Sequence, residues 1–304
     1  MKQLQAKRFK HLKSFKAEMI EMNILDDSRL DLRKLFLTLK SAKLFTHLSL
    51  NLTDAEDGNF KRFRKGILRL KKLRSLDLNF LSTRFLPSSL QLRHIYSSLQ
   101  RLKSLSRLSL DLTNTYNDFD HCFKGLLVSL KKLRAISKLN LIICKSLMFN
   151  DQKMQELARV LRRLRLLSSL NFNCSVCLQI SKNGMTYLNS SLKNLKKLKS
   201  LDIWYNFVST QDPDIQTFNS SLRTLPQLKN LCLEATINSF LPNTKFPLEY
   251  FRKWVLFLRT QKALKSLKLN LSTLDLNDSV MRVLLLSLNH LEMLSSLNLI
   301  LHSA

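Results

Sequence analysis

Cys174-x-x-Cys177 is the one paired-thiol motif in the chain, and it is the first place to look for chemistry. A structural zinc site needs a second Cys or His pair to complete four tetrahedral ligands, and none accompanies this motif. Cys174 instead falls on an apolar strand position, where a thiol packs as a small hydrophobe. The histidines, His11, His47, His94, His121, His290 and His302, are scattered, with no H-E-x-x-H and no Ser-His-Asp signature. The four glycines, Gly58, Gly66, Gly125 and Gly184, fit no G-x-G-x-x-G or G-x-x-x-x-G-K loop, which excludes nucleotide binding by those loops. The residues therefore predict a non-catalytic protein with no metal and no cofactor.

Charge is the strongest compositional signal. Fifty Lys and Arg against 22 Asp and Glu leave a net +28, enough to attract nucleic acid, acidic proteins or anionic lipid. Drift toward Lys and Asn codons gives the same excess without a partner, and composition leaves both readings open. Five cysteines, Cys122, Cys144, Cys174, Cys177 and Cys232, make no disulfide framework in a chain of 304 residues, which points to a reducing compartment. With no long apolar stretch and no secretory signal, the sequence predicts an intracellular, cytoplasmic protein, nuclear and mitochondrial sites being the alternatives. The sequons at Asn51 and Asn270 then carry no meaning. Met1 to Lys16 is basic and free of acids, as a mitochondrial presequence or an incomplete first repeat would be.

The elements that carry these residues are repeats. The pattern L-x-x-L-x-L-x-L recurs with its second leucine at Leu48, Leu76, Leu108, Leu139, Leu170, Leu201, Leu231, Leu267 and Leu297. Most intervals are 30 to 32 residues, and the longest, 36, separates Leu231 from Leu267. A degenerate copy at Leu12 to Met19 centres on Phe15. The chain thus reads as one array over 1–304, with a degenerate unit at about 9–38, clear units at about 39–301 and a longer unit at 231–266. Leucines alternate at period two from the repeat leucine onward, as a strand requires. Upstream, apolar residues stand three, six and nine positions before it, steps that suit a helix with one inward face and a short link. The ninth position is apolar in every clear unit, from Leu39 and Ile67 to Leu258 and Leu288.

A unit this short cannot bury its own leucines, so neighbours must stack around a shared core. The pattern resembles the leucine-rich-repeat family, in its long ribonuclease-inhibitor-like class. That resemblance implies an α/β solenoid, a horseshoe with a parallel sheet on the concave side and helices on the convex side. It also implies a small polar or Cys residue five positions after the repeat leucine, bonding backbone in a turn. Those positions read Thr53, Thr113, Cys144, Ser175, Asn206, Thr236 and Ser272, with Leu81 and His302 departing. Neither end shows a polar cap, so a larger polypeptide or a docked subunit is expected to cover the last leucines.

Two surfaces differ in charge. Five positions before the repeat leucine stand Lys43, Lys71, Lys103, Arg134, Arg165, Lys196 and Lys262, with Pro226 and Glu292 as exceptions, and eight before it Lys40, Lys131, Arg162, Lys193, Arg223 and Arg259. Placed on a helix face these make a positive ladder, led by Lys103, Arg134, Arg165 and Lys196, that binds polyanions or offsets helix macrodipoles. The strand residues between the leucines are rich in Asn and Ser, with the acids Asp77, Asp111, Asp202 and Glu234, Trp204, and Lys268 as the sole cation. That face predicts a protein or peptide ligand, since Trp is enriched at binding hot spots. Stacking on neighbouring strands is the structural alternative for Trp204. The longer interval, with Pro242, Pro247 and the aromatic run Tyr250 to Trp254, is either a functional insertion or loop drift.

The sequence is therefore read as a non-catalytic scaffold that binds a protein partner through Asp77, Asp111, Asp202, Trp204 and Glu234, partly by analogy of fold. One alternative is an RNA- or ribonucleoprotein-associated subunit using the basic ladder. Another is the recognition portion of a larger ubiquitin ligase or kinase.

Overall fold

The computed structural model describes residues 14–17, 44–51, 60–80, 89–113, 119–207, 215–237, 252, 255–271 and 278–301. The chain divides into two compact units, residues 1–142 and 143–304.

In the first unit the strands are β1 (Ser14–Ala17), β2 (His47–Asn51), β3 (Ser75–Asn79), β4 (Arg107–Asp111) and β5 (Lys138–Ile142), all parallel and side by side in chain order. Its helices are α1 (Phe60–Ile67), α2 (Ser89–Leu99) and α3 (Phe119–Lys132). The second unit repeats the plan with β6 (Ser169–Asn173), β7 (Ser200–Phe207), β8 (Asn230–Ile237), β9 (Ser266–Asn270) and β10 (Ser296–Ile300). Its helices are α4 (Asp151–Leu161), α5 (Lys182–Leu192), α6 (Ile215–Arg223) and α7 (Asp278–Leu288), with a short 3-10 turn at Phe257–Thr260.

Register places like residues opposite like. Phe15 faces Leu48, which faces Leu76 and then Leu108 and Leu139; Leu170, Leu201, Leu231, Leu267 and Leu297 make the same row in the second unit. A one-residue slip would turn every leucine to the other face, so burial fixes the register. The row is buried from Leu48 onward until β10, where Leu297 is 46% exposed against 0% for Leu201. The helices contribute Leu99, Leu130, Leu161, Leu192 and Leu222 to the same apolar interiors.

The apolar spacing of three upstream of the strand differs from its sequence reading. The helices α1, α2, α4, α5 and α7 end on the residue nine before the repeat leucine, and the leucines at six and three lie beyond the helix. There the backbone runs as linked three-residue turns: Leu195 N donates to Leu192 O and Leu198 N to Leu195 O, each at 2.9 Å, and Leu102 and Leu105 do the same after Leu99 at 3.0 Å. A strict period of three belongs to such turns, whose side chains eclipse at i and i+3, and not to the 3.6 of an α-helix. Each turn then hands its last carbonyl to the next repeat. Lys199 O accepts from Lys229 N and Asn230 N, and Lys229 O from Lys265 N and Ser266 N.

The polar position five after the leucine also behaves in two ways. Cys144 and Ser175 stand in turns, and Ser175 Oγ reaches Cys144 Sγ at 3.3 Å. The turn amides are held from two residues earlier: Asn173 Oδ1 accepts from Ser175 N at 2.9 Å and Asp111 Oδ1 from Thr113 N at 3.0 Å. Asn206 and Thr236, by contrast, are strand residues paired with each other, because β7 and β8 run on together to Phe207 and Ile237. Thr53, Leu81, Ser272 and His302 lie outside the described residues, as do most of the degenerate unit and, apart from Arg252, the run Tyr250 to Trp254. Among the described residues no helix is long and apolar enough to cross a membrane.

Candidate functional site

The strand face turned away from the buried leucines carries two polar rows in the second unit. One position after the leucines stand Asn171, Asp202, Cys232 and Lys268; three positions after stand Asn173, Trp204, Glu234 and Asn270. Parallel pairing puts neighbours in a row about 4.8 Å apart, so these side chains must interact.

They form one network. Glu234, only 4% exposed, accepts from Lys268 Nζ at 2.8 Å and from Asn270 Nδ2 at 3.4 Å. The Trp204 indole Nε1 donates to Asp202 Oδ1 at 3.2 Å, and the Cys232 thiol bonds the same carboxylate. Burial raises the Asp202 pKa, the nearby Glu234 charge adds to this, and the Cys232, Trp204 and Lys268 contacts oppose it. The Cys232 thiol is pushed up to about 12 by burial first and by the Asp202 charge second. Lys268 is held above the ordinary lysine value, chiefly by its bond to Glu234. A thiol this hard to ionise is a poor nucleophile. Asn171 Oδ1, buried beside Asp202, has no hydrogen-bond partner among the described residues.

Asp202, Trp204 and Glu234 are thus brought together, and Cys232, Lys268, Asn171 and Asn270 complete the group. The signal for the added residues is the period-two register, read across strands and not along them. Asp77 and Asp111 sit on adjacent strands β3 and β4 of the first unit but in different rows. Asp77 accepts from Ser49 Oγ at 3.1 Å, and Asp111 is occupied by the amide and hydroxyl of Thr113, the latter at 2.6 Å. The Asp111 carboxylate therefore serves its own turn.

The cysteine motif is interior. Cys174 and Cys177 are buried, Cys177 donates to Ile143 O at 2.8 Å, and burial pushes its thiol up to about 12. Cys174 is raised well above the usual thiol range for the same reason. Among the described residues no group of His, Cys, Asp and Glu is arranged to hold a metal ion.

The basic positions line the edge where each helix passes into its strand. Lys103 and Arg134 in the first unit, and Arg165 and Lys196 in the second, are exposed and lie in the turns, not on the helices as the spacing suggests. The reason is the early helix end described above. The cations eight before the leucine do meet helix ends, Arg162 and Lys193 being the C-caps of α4 and α5. Lys196 Nζ donates to Thr224 O just past α6 at 3.1 Å. A further row, two before the leucine, holds Lys199, Lys229 and Lys265, all exposed. Lys40 and Lys43 lie outside the described residues.

No protein-family model matches the sequence, and no curated protein matches it. Among solved structures, the leucine-rich-repeat-containing protein LegL7 from Legionella pneumophila is similar at TM-score 0.50 and 12% identity, over 98% of this chain and 87% of that one. The yeast Rad7 and Elc1 complex matches at TM-score 0.48 and 14% identity, over 97% of this chain and 72% of that one. A complex of TLR13 with ssRNA13 matches at TM-score 0.44 and 18% identity, over 89% of this chain but 34% of that one, so this chain spans about a third of its length. At such identities the LegL7 likeness shows the fold alone: an α/β leucine-rich-repeat solenoid.

Proposed function

We propose that this protein is a non-catalytic interaction scaffold whose partner is a protein or peptide, bound on the polar strand face of the second unit. The observation that carries this reading is the Asp202, Trp204, Cys232, Glu234 and Lys268 network. Its side chains sit on paired strands and hold one another, so little rotamer freedom is left to lose on binding. Trp204 supplies a large half-buried surface beside a carboxylate and an ammonium, the combination that concentrates binding energy at interfaces. Glu234 acts from within by fixing Lys268, while Asp202, Trp204 and Lys268 are the groups a partner meets. Asp77 extends the reading to the first unit, where Asp111 has a turn to hold. Buried, protonated Cys174 and Cys177 fit a reducing, intracellular setting.

The test is a quantitative comparison of partners recovered from the native cell with wild-type protein and with Asp202→Ala/Trp204→Ala, each with and without nuclease. A protein that survives nuclease and is lost from the double variant supports the reading. An unchanged set of partners overturns it.

A further inference from the structure

The basic edge of the second unit has a feature that neither helix stabilisation nor the strand-face partner accounts for. Lys199, Lys229 and Lys265 occupy the same position in successive repeats, locked by backbone bonds: Lys229 N to Lys199 O at 2.9 Å and Lys265 N to Lys229 O at 2.7 Å. Hydrogen-bonded neighbours of this kind repeat at about 4.8 Å, and like charges set directly opposite are destabilising. Among the described residues no carboxylate pairs with any of the three, and the connecting turns 162–168, 193–199, 223–229 and 259–265 contain no Asp or Glu.

The helix macrodipole does not explain them. Its field falls off within the last turn, and Lys199 stands well past the end of α5 at Leu192. Lys196 and Lys262 lie three residues before Lys199 and Lys265 and add positive charge at the two ends of the row, while Pro226 holds the corresponding place before Lys229.

From this arrangement we infer that the helix-to-strand edge of the second unit is a binding surface for the phosphate backbone of a nucleic acid duplex. A regular row of cations, none paired among the described residues, matches a polymer of evenly spaced anions. Duplex phosphates supply one charge per roughly 1.7 Å of axis, whereas an acidic peptide offers no such regularity. The four turns contain no Phe, Tyr or Trp, so the edge offers neither a stacking platform for unpaired bases nor the aromatic anchors of a membrane-surface helix. Contacts to phosphate alone are independent of sequence and act by releasing counterions. The surface is distinct from the strand-face network, so either can fail without the other.

The experiment measures binding of the full chain to a fluorescent B-form DNA duplex, to one of its single strands, and to phosphatidylserine vesicles, across a range of KCl. The expected result is duplex binding whose logarithmic salt slope is about −0.9 per phosphate neutralised. Lys199→Glu/Lys229→Glu/Lys265→Glu should weaken it about tenfold or more at physiological salt and flatten the slope. Lys153→Glu/Arg159→Glu/Arg282→Glu changes net charge equally on the helices and should cost far less. Circular dichroism establishes that both variants fold. Equal losses from the two variants would reduce the effect to net charge and overturn the inference. So would preference for the single strand, binding to vesicles without the duplex, or no binding at physiological salt.

Discussion

Lys268 Nζ lies 2.8 Å from Glu234 Oε1, with the carboxylate almost fully buried and the ammonium side chain 37% exposed. The asymmetry decides what each deletion does. Lys268→Met leaves a buried carboxylate with Asn270 as its one remaining partner among the described residues, and this should cost about 2–3 kcal/mol, less than a fully buried pair because water reaches the lysine. Replacing both groups, Lys268→Met/Glu234→Leu, should return most of that loss, since apolar residues fit such a site without desolvating charge. Urea unfolding of the three proteins checks it, and a double variant as unstable as the single one would mean that strand packing dominates.

Asp202 gives a pH dependence of defined sign. Its folded pKa is raised by burial, so between the ordinary carboxylate value and the folded one the native state binds more protons than the unfolded chain. Stability contributed by this group therefore falls as pH rises through that window, and at neutral pH the charge is a cost. Asp202→Asn, which keeps an acceptor for Trp204, should raise Tm at neutral pH and leave it little changed where Asp202 is already protonated. Thermal unfolding followed across the acid limb tests this. A lower Tm for the variant at neutral pH would show that the bonds from Cys232 and Trp204 outweigh desolvation.

How far the sequence carries can be judged residue by residue. Leu201, Leu231 and Leu267 announce buried strand positions because period-two alternation of leucine is the mark of a strand with one face in the core, and the structure sets them in one row. Asp202, Trp204 and Glu234 are visible in the sequence as the charged and aromatic residues between those leucines. Their bonds to Cys232, Lys268 and Asn270 are not, because these partners are a whole repeat apart in sequence and neighbours only through register. The turns mislead for a different reason. Apolar spacing of three fits a helix over one or two steps, and only its persistence over a third, from Leu192 through Leu195 and Leu198 to Leu201, distinguishes a chain of turns, which moves Lys196 and Arg165 off the helix.

Val176 offers a stabilising change. With φ 60° it occupies the left-handed region, as does Lys145 at φ 56° one repeat earlier, so the turn geometry demands that conformation whatever residue stands there. A β-branched side chain suffers most in this region, where an L-residue loses roughly 1–2 kcal/mol. Val176→Asn should stabilise the protein by about 1 kcal/mol, Asn tolerating the region without the extra unfolded-state entropy of Gly. The corresponding Lys145→Asn should gain less, having no β-branch to relieve. Denaturant midpoints of the two variants give the ranking, and equal gains would place the effect in backbone handedness alone.

Gly184 is a helix residue where glycine is retained for space and not for backbone freedom. Within α5 an alanine would ordinarily gain about 1 kcal/mol of helix propensity. Here an added Cβ would collide with Asp151 Oδ1 and come within 3.1 Å of Ile180 Cγ2. That Asp151 oxygen is not at liberty to move, since it accepts from Ser181 N at 2.7 Å while its partner oxygen takes the Ser181 hydroxyl, joining the first turn of α4 to the N-cap of α5. Gly184→Ala must therefore break this bridge or shift a helix, and overpacking of that kind costs roughly 1–3 kcal/mol, more than the propensity gained. Net of that gain, the variant should be destabilised by up to about 2 kcal/mol. Combining it with Asp151→Ala should remove the collision, so the double variant should be no less stable than Asp151→Ala alone. Urea unfolding of all three closes the cycle, and additive losses would show that the crowding lies against Ile180 and not against Asp151.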